Sequence, residues 1–389
     1  MEADQDNFRA ALEWTLDEND GPAALRLCGA LFGFWQLRGH LAEGRRSLAQ
    51  ALALPGEQPE RLRGWALFAA SHLSTQMGDA RAARPFGGEA LEIFRRLGDE
   101  ARVAMALNEL AAIGQFSDDV VSYRALATES LAMARRLALK PWIVMAAQHA
   151  STAAMWGGDF AAKDLLDEAE AVARELGGAA LLGSALWSQA LWSTYQGDWG
   201  TALHYLDEAV ALSRRSGSPI ALVQILPLRA VTLSRLGDRQ AARATAEEAV
   251  DTARRTGSHV AESVSLALLG ELALGEGDRR QAQVRYTEAL KVIPASHSVV
   301  GFGSLLYVGL AQLALAEERP DLSARLLVAV ETEASRRGVT FVPSVADAID
   351  VPRQASKSGL TEAAWRAVVA EGRTVTVDHA AADILALAT

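Results

Sequence analysis

The sequence predicts an all-α fold, a right-handed superhelix of about eight helical hairpins with a period of about 40 residues. The composition is rich in alanine, leucine, arginine and glutamate, which all favour helix. A turn motif also recurs at nearly constant spacing. Its copies are Arg38-Gly39-His40, Met77-Gly78-Asp79, Phe116-Ser117-Asp118, Gly157-Gly158-Asp159, Gln196-Gly197-Asp198, Leu236-Gly237-Asp238, Glu276-Gly277-Asp278 and Arg319-Pro320-Asp321. In such an array each unit buries its apolar face only against its neighbours.

A second signal divides each unit into two helices. Basic residues followed by glycine, as in Arg214-Arg215-Ser216-Gly217, are typical of a helix C-terminus. In the Gly-Asp step the glycine ends the first helix, and the aspartate caps the second through its side-chain oxygen. Small residues recur in the second helices and predict close helix packing. They include Ala90, Ala169, Ala202, Ala209, Ala242, Ala249, Ala282 and Ala289.

The periodic pattern weakens at both ends of the chain and suggests three segments. Residues 1–22 form an N-terminal helix that leads into the array, residues 23–342 form the superhelix, and residues 343–389 form a loop and capping helices. Within the last segment, the sequence predicts a loop over 350–357, a helix over 361–372 and a terminal helix from residue 377. Pro227 lies in the first helix of the sixth unit, where it either kinks the helix or marks a late start.

Charge and composition exclude several classes of protein. The net charge of −10 argues against a non-specific nucleic-acid binder, which needs a basic surface. The one cysteine, Cys28, lies in an apolar helical run and is expected to be buried in a reducing compartment. No apolar stretch is long enough to span a membrane, so we expect a soluble, cytoplasmic protein.

Small residues at regular offsets after Gly-Asp are the signature of tetratricopeptide-type hairpins, here of a longer and more degenerate class. The two ends of the chain carry a more specific resemblance. The quoted motifs are Asp6-Asn7-Phe8-Arg9-Ala10-Ala11-Leu12-Glu13-Trp14, Phe34-Trp35-Gln36-Leu37-Arg38-Gly39-His40, Ala363-Ala364-Trp365 and Ala370-Glu371-Gly372-Arg373. The chain resembles the helical-repeat sensor region of large actinobacterial signalling ATPases, including LuxR-type transcriptional regulators related to the maltose-operon activator.

That resemblance implies a region that senses an inducer or a partner protein. In the family an ATPase lies upstream and a DNA-binding domain lies downstream. This sequence contains neither a Gly-x-x-x-x-Gly-Lys-Ser/Thr phosphate loop nor a basic recognition helix at its C-terminus. It therefore corresponds to the sensor segment alone, or to a free-standing relative, with no direct contact to nucleic acid.

The first helix of each hairpin lines the inner face of a tetratricopeptide array, and family positions before each turn indicate which side chains point inward. Tryptophans interleaved with amides would suit a neutral polar ligand or an extended peptide, because rings supply apolar area and amides fix orientation. The other interpretation is that these rings pack between repeats. The candidate groove residues are Trp65, Phe68, His72, Gln148, Trp156, Trp187, Gln189, Tyr195, Gln224 and Arg229.

Three polar residues occupy a position that is usually a buried leucine, eight residues before the turn. They are Glu109, Gln189 and Arg229. A buried charge is costly unless it is paired or solvated. These residues indicate either a polar pocket inside the superhelix or side chains that bridge neighbouring helices, and the sequence leaves both open.

The sequence contains no catalytic constellation. Its seven histidines are scattered without zinc-ligand spacing, and no nucleophile elbow or dinucleotide loop is present. We expect no enzyme activity, no metal and no cofactor. The sequence therefore predicts a non-catalytic sensor domain that binds a small-molecule inducer in its concave groove. The alternative is a scaffold that binds a partner helix or peptide in the same groove.

Overall fold

The computed structural model describes residues 5–114, 120–156, 159, 162–217, 219–292 and 303–388, which form twenty α-helices and contain no strand. The all-α prediction is confirmed for this part of the chain. The helices are α1 (Gln5–Asp17), α2 (Gly21–Arg38), α3 (Leu41–Ala53), α4 (Glu60–Gln76), α5 (Ala80–Arg96), α6 (Glu100–Gly114), α7 (Val120–Arg136), α8 (Lys140–Trp156), α9 (Lys163–Leu176), α10 (Ala179–Tyr195), α11 (Trp199–Ser216), α12 (Pro219–Arg235), α13 (Arg239–Thr256), α14 (His259–Gly275), α15 (Arg279–Val292), α16 (Gly303–Ala316), α17 (Pro320–Arg336), α18 (Pro343–Ser358), α19 (Glu362–Gly372) and α20 (Val377–Leu385). A 3-10 turn over Ala386–Ala388 follows.

The array has two layers of helices. Each even-numbered helix from α2 to α14 packs against its own hairpin partner and also against the next even-numbered helix. Successive odd-numbered helices from α3 to α15 make at most marginal contact with one another. The even-numbered helices therefore form the inner layer of a curved superhelix, and the odd-numbered helices form its outer layer.

The Gly-Asp turns have the predicted geometry. Gly237 has φ +88°, in the left-handed region where a side chain would be strained. Asp238 then caps α13 by accepting a hydrogen bond from the backbone N–H of Ala241 at 3.0 Å. Equivalent caps occur at Asp79, Asp198 and Asp278. The turn at 116–118 and the glycines at 157–158 lie outside the described residues.

Alanines of the outer layer lie where the two helices of a hairpin touch. Those fully shielded from solvent include Ala90, Ala202, Ala209, Ala249, Ala282 and Ala289. A methyl side chain lets two helix backbones approach closely and pack at the density of a protein interior. The prediction of close packing at these positions is confirmed.

The superhelix closes on itself: its first repeats contact repeats much later in the chain. A repeat array does not require such contacts, because each repeat packs only against its neighbours. A Cβ placed on Gly39 would lie 3.4 Å from Cγ2 of Thr256 and 3.7 Å from Cγ of Pro219. A Cβ placed on Gly78 would lie 3.3 Å from Cγ2 of Val260. The turns after α2 and α4 therefore abut the start of α12 and the turn between α13 and α14. We call this contact the seam.

The C-terminal region differs from the sequence prediction in one respect. The loop predicted over 350–357 is wrong, because these residues belong to α18, which continues through Pro352. Proline removes one backbone hydrogen bond from a helix, but Pro352 and Ile349 are buried, so packing offsets that loss. The helices predicted over 361–372 and from 377 are confirmed as α19 and α20.

Pro227 also lies within a helix. Helix α12 runs without interruption from Pro219 to Arg235, so the alternative of a late helix start is wrong. The buried ring of Pro227 packs within the inner layer. None of the described helices combines the length and the apolar content that crossing a membrane would need.

Candidate functional site

An aromatic cluster covers the first inner helices. The ring of Trp65 stacks on Phe68 with centroids 5.2 Å apart, and Phe32 meets Trp65 edge-on at 5.9 Å. Trp142 meets Phe68 edge-on at 6.4 Å. Phe68 belongs to α4 and Trp142 to α8, and α6 lies between these two helices. Their side chains can meet only on the concave side of the inner layer, where the helices converge. Phe68 is 2% exposed, whereas Phe32, Trp65 and Trp142 are only partly buried.

A polar network adjoins this cluster and links three inner helices. The amide Nε2 of Gln36 lies 2.8 Å from Nε2 of His72. Because the amide nitrogen only donates, His72 Nε2 accepts and the ring proton lies on Nδ1. That N–H donates to Oε2 of Glu109 at 2.7 Å, and the Thr75 hydroxyl donates to Oε1 of Glu109 at 2.5 Å. Glu109 is therefore satisfied by α4, and the network fixes the tautomer of His72.

His149 of α8 lies near the same network but in a drier environment. Burial lowers the pKa of His149 to about 4, and the charge of Glu109 opposes this only in part. The imidazole is therefore neutral at physiological pH. Its Nδ1 has no hydrogen-bond partner within the described residues, and the ring of Tyr123 lies edge-on at 6.3 Å.

Side chains 36 or 37 residues apart also connect the later inner helices. The Ser184 hydroxyl donates to Oε1 of Gln148 at 2.9 Å, and the indole N–H of Trp187 donates to the carbonyl of Gln224 at 2.9 Å. These contacts have the same spacing as Gln36–His72 and His72–Glu109. We call them polar rungs, since each joins one inner helix to the next.

The middle of the inner face is covered by the chain itself. The backbone N–H of Thr340, between α17 and α18, donates to the carbonyl of Trp156 at 2.9 Å. Val342 is 3% exposed and packs in the apolar core that contains Tyr195. Trp156 is itself 7% exposed, and burial raises the pKa of Tyr195 to about 12. Trp156 and Tyr195 are thus core residues in this structure, which agrees with the packing interpretation of these two rings.

Two of the polar candidates face the outer layer. Gln189 is fully buried and donates to Oδ1 of Asp167 at 2.9 Å and to Oε2 of Glu170 at 2.8 Å, both on α9. Arg229 pairs with Asp207 of α11 at 2.8 Å. These two side chains bridge helices, and only Glu109 of the three unusual polar residues joins the inner network.

The remaining sequence candidates fall into two groups. Trp65, Phe68 and His72 come together on the N-terminal inner helices, while Gln148, Trp187 and Gln224 belong to the later polar rungs. Sequence reasoning missed Phe32, Gln36 and Trp142. The signal that would have found Gln36 is its spacing of 36 residues from His72, which in turn lies 37 residues before Glu109.

The network lacks the arrangement of a catalytic site. His72 and Glu109 form a histidine–carboxylate pair, but the nearby Thr75 hydroxyl donates to Glu109 and not to the imidazole. The hydroxyl–imidazole–carboxylate order of a catalytic triad is therefore not formed by these three side chains. Across the described ranges, no group of three or more histidine, cysteine, aspartate or glutamate side chains is arranged to hold a metal ion.

Comparison with known proteins establishes the fold. A solved structure of a Rap protein complexed with competence and sporulation factor aligns with a TM-score of 0.65 and 15% identity, covering 81% of this chain and 88% of that chain. The tetratricopeptide domain of P58(IPK) gives a TM-score of 0.25 and 14% identity, covering 91% of this chain and 97% of that one. The first likeness shows that the chain has a tetratricopeptide-like helical repeat fold.

Sequence comparison adds a partial match. The family model of anaphase-promoting complex subunit 5 matches residues 178–228 and 202–274, within α10 to α14 and the turns that join them. A search among curated proteins finds no match.

Proposed function

We propose that the chain is a non-catalytic binding module that holds an extended peptide segment along its inner face. The observation that carries this proposal is the N-terminal inner face, which comprises Phe32, Gln36, Trp65, His72 and Trp142. There, partly buried rings lie beside a row of hydrogen-bonding side chains on the concave side. Partly exposed aromatic rings and amides held by hydrogen bonds are suited to binding a ligand, because they lose little conformational entropy when the ligand binds.

The spacing of the inner helices favours an extended ligand over a compact one. Packed helices lie about 8–10 Å apart, so the path from α2 to α8 spans roughly 25–30 Å. An extended peptide rises about 3.3 Å per residue and would place about three residues over each helix. The polar rungs would then meet peptide groups at regular intervals, while the rings would take up apolar side chains.

The fold likeness is compatible with this function. The Rap protein was solved as a complex with competence and sporulation factor, so the same fold accommodates a ligand there. We further propose that the module acts as the sensor segment of a transcriptional regulator. That role rests on the terminal motifs that resemble the signalling ATPases, and it would couple ligand binding to an upstream ATPase and a downstream DNA-binding domain.

A selection with displayed random peptides on the full chain tests the proposal. Enriched peptides would be labelled, and their dissociation constants measured by fluorescence polarisation for wild type and for Trp142→Ala. We expect Trp142→Ala to weaken binding by about tenfold or more, because loss of a central aromatic contact typically costs over about 1.4 kcal/mol. Trp14→Ala is the matched control, since Trp14 is 63% exposed on α1.

The possible outcomes separate the two ligand classes. Equal affinity of wild type and Trp142→Ala, at unchanged helicity, would place the peptide elsewhere and overturn the proposal. If no peptide is enriched but sugars or natural products raise the thermal midpoint in wild type and not in Trp142→Ala, the inner face binds small molecules instead. That result would restore the small-molecule inducer as the ligand.

A further inference from the structure

A cavity of about 390 Å³ opens at the seam. One wall comes from the end of α2 and the turn after it. The opposite wall comes from the end of α11, the start of α12 and the end of α13. The lining residues are Arg38, His40, Ser213, Arg214, Gly217, Pro219, Leu222 and Arg255.

The cavity is basic although the protein is acidic. Three guanidinium groups line it and no carboxylate does, in a chain whose net charge is −10. Arg214 is paired with Glu248 at 3.0 Å, outside this set of lining residues. The guanidinium of Arg255 donates to the Thr252 hydroxyl at 3.3 Å, and Arg255 also borders an adjoining depression that contains Glu248 and Asp251.

The ends of helices account for part of this pattern. Arg38, Arg214 and Arg255 each lie in the last turn of a helix, where a cation compensates the exposed carbonyl groups. This explains an arginine on each helix. It does not explain why three such helix ends meet around one cavity. They meet because the seam brings together segments about 180 to 220 residues apart in the sequence.

We propose that this cavity binds a phosphate-bearing anion that bridges Arg38 on one wall and Arg255 on the other. Guanidinium groups bind phosphate oxygens through paired hydrogen bonds, and phosphate carries enough charge to offset the repulsion between neighbouring arginines. The depression is open to solvent, and its volume is large enough for a small anion. Pro219 and Leu222 add an apolar edge beside the charged groups.

Binding at this place would hold the superhelix closed. The anion would contact both walls only when the seam is formed, so it would stabilise the closed form by an amount that grows with its concentration. Anion binding at the seam does not require the proposed peptide site, so either proposal can fail without the other.

Isothermal titration of the full chain with pyrophosphate, at constant ionic strength, tests this inference. Arg38→Gln and Arg255→Gln each remove a bridging group. Arg215→Gln is the matched control, since Arg215 lies in the same helical turn as Arg214 and is exposed like the lining arginines, but does not line the cavity. We expect saturable binding to wild type and Arg215→Gln, and at least about tenfold weaker binding to the other two variants.

A parallel titration with ADP distinguishes a nucleotide from a simple polyphosphate. Tighter binding of ADP than of pyrophosphate would support a nucleotide site, and the reverse would support a free polyphosphate. Equal affinity of all three variants would indicate non-specific anion binding and overturn the proposal, as would the absence of saturable binding of both probes. Circular dichroism of each variant, with Arg255→Lys as a charge-preserving alternative, separates a lost site from a lost fold.

Discussion

At the scale of single residues, the buried imidazole of His149 links stability to pH. Its pKa is about 4 in the folded protein against 6.5 for an exposed histidine, because burial disfavours the charged ring. Between these values the unfolded chain binds a proton that the folded protein does not. Stability is therefore lost as pH falls from about 6.5 to 4, by a total on the order of 3 kcal/mol from this group.

Urea unfolding of wild type and His149→Gln at pH 7.0 and pH 4.5 measures this effect. Other groups titrate in the same window, so the informative quantity is the difference between the two proteins. We expect the variant to lose less stability than wild type on acidification. An identical loss in both proteins would show that His149 is protonated or solvated in the folded state.

The carboxylate of Glu109 is expected to stabilise the inner network by satisfying buried donors. Glu109→Ala leaves the Nδ1–H of His72 without its acceptor, while the Thr75 hydroxyl can still donate to the carbonyl of Ser71 at 3.0 Å; the change should cost about 1–3 kcal/mol. Glu109→Gln keeps an acceptor oxygen and should cost less. Chemical unfolding of both variants at pH 7 tests this order, and an equal cost would mean that shape, not hydrogen bonding, determines the role of Glu109.

Sequence alone located the unusual residues but not the direction of their side chains. Glu109, Gln189 and Arg229 share one position relative to their turns, yet Glu109 bonds within the inner layer and the other two bond to the outer layer. The position of a residue in a helix fixes the face on which its side chain lies. A long polar side chain then selects whichever partner lies within reach, and those partners come from helices that the local pattern does not specify.

At the scale of helices and turns, two glycines illustrate different constraints. Gly197 has φ +78° and open space around it, so a substitution there should lower stability only through backbone strain. Gly44 lies inside α3, where a Cβ would come within 2.6 Å of Cδ2 of Trp35 and 2.7 Å of Cδ1 of Leu73. At Gly197, asparagine should be milder than alanine, because asparagine tolerates the left-handed region.

The order should reverse at Gly44, where the larger asparagine side chain adds to a steric clash. We expect Gly44→Ala to cost about 1–3 kcal/mol and Gly44→Asn to cost more. Gly197→Ala should cost about 1–2 kcal/mol and Gly197→Asn less. Thermal unfolding of the four variants provides the ranking, and the same order at both positions would contradict the assignment of separate causes.

The helices and turns were largely predictable, because each depends on local signals. Gly237 and Asp238 end one helix and cap the next through bonds within four residues of the turn. The loop predicted over 350–357 was wrong because the periodic pattern fades there, although α18 continues through Pro352. Burial of that ring depends on tertiary contacts, which a local pattern does not contain.

At the scale of the whole molecule, closure of the superhelix was not predictable. A repeat pattern specifies contacts between neighbours about 20 to 40 residues apart. The seam joins residues about 180 apart, such as Gly39 to Pro219 and Gly78 to Val260. The covering of the central inner face has the same origin, since the backbone N–H of Thr340 donates to the carbonyl of Trp156, 184 residues earlier in the chain. Both features follow from the accumulated curvature of many hairpins.

Opening of the seam should therefore change the shape of the molecule more than its helix content. Val260→Glu places a carboxylate against the turn at Gly78. In the wild type, Cγ2 of Val260 lies 3.3 Å from the position that a Cβ on Gly78 would occupy. Val260 is half-buried, so an unpaired carboxylate there loses part of its hydration when the seam is formed, and the seam should separate at a cost of about 1–3 kcal/mol. Each helix would keep its partner within the hairpin and its neighbours in the array.

Small-angle X-ray scattering and circular dichroism together test this expectation. Val284→Glu is the matched control, because Val284 is 43% exposed on α15 and away from the seam. We expect a larger radius of gyration for Val260→Glu, an unchanged value for Val284→Glu, and the same helicity for both. An unchanged radius for Val260→Glu with intact stability would mean that the seam tolerates the charge. A loss of helicity in that variant would instead mean that closure is required for the array to fold.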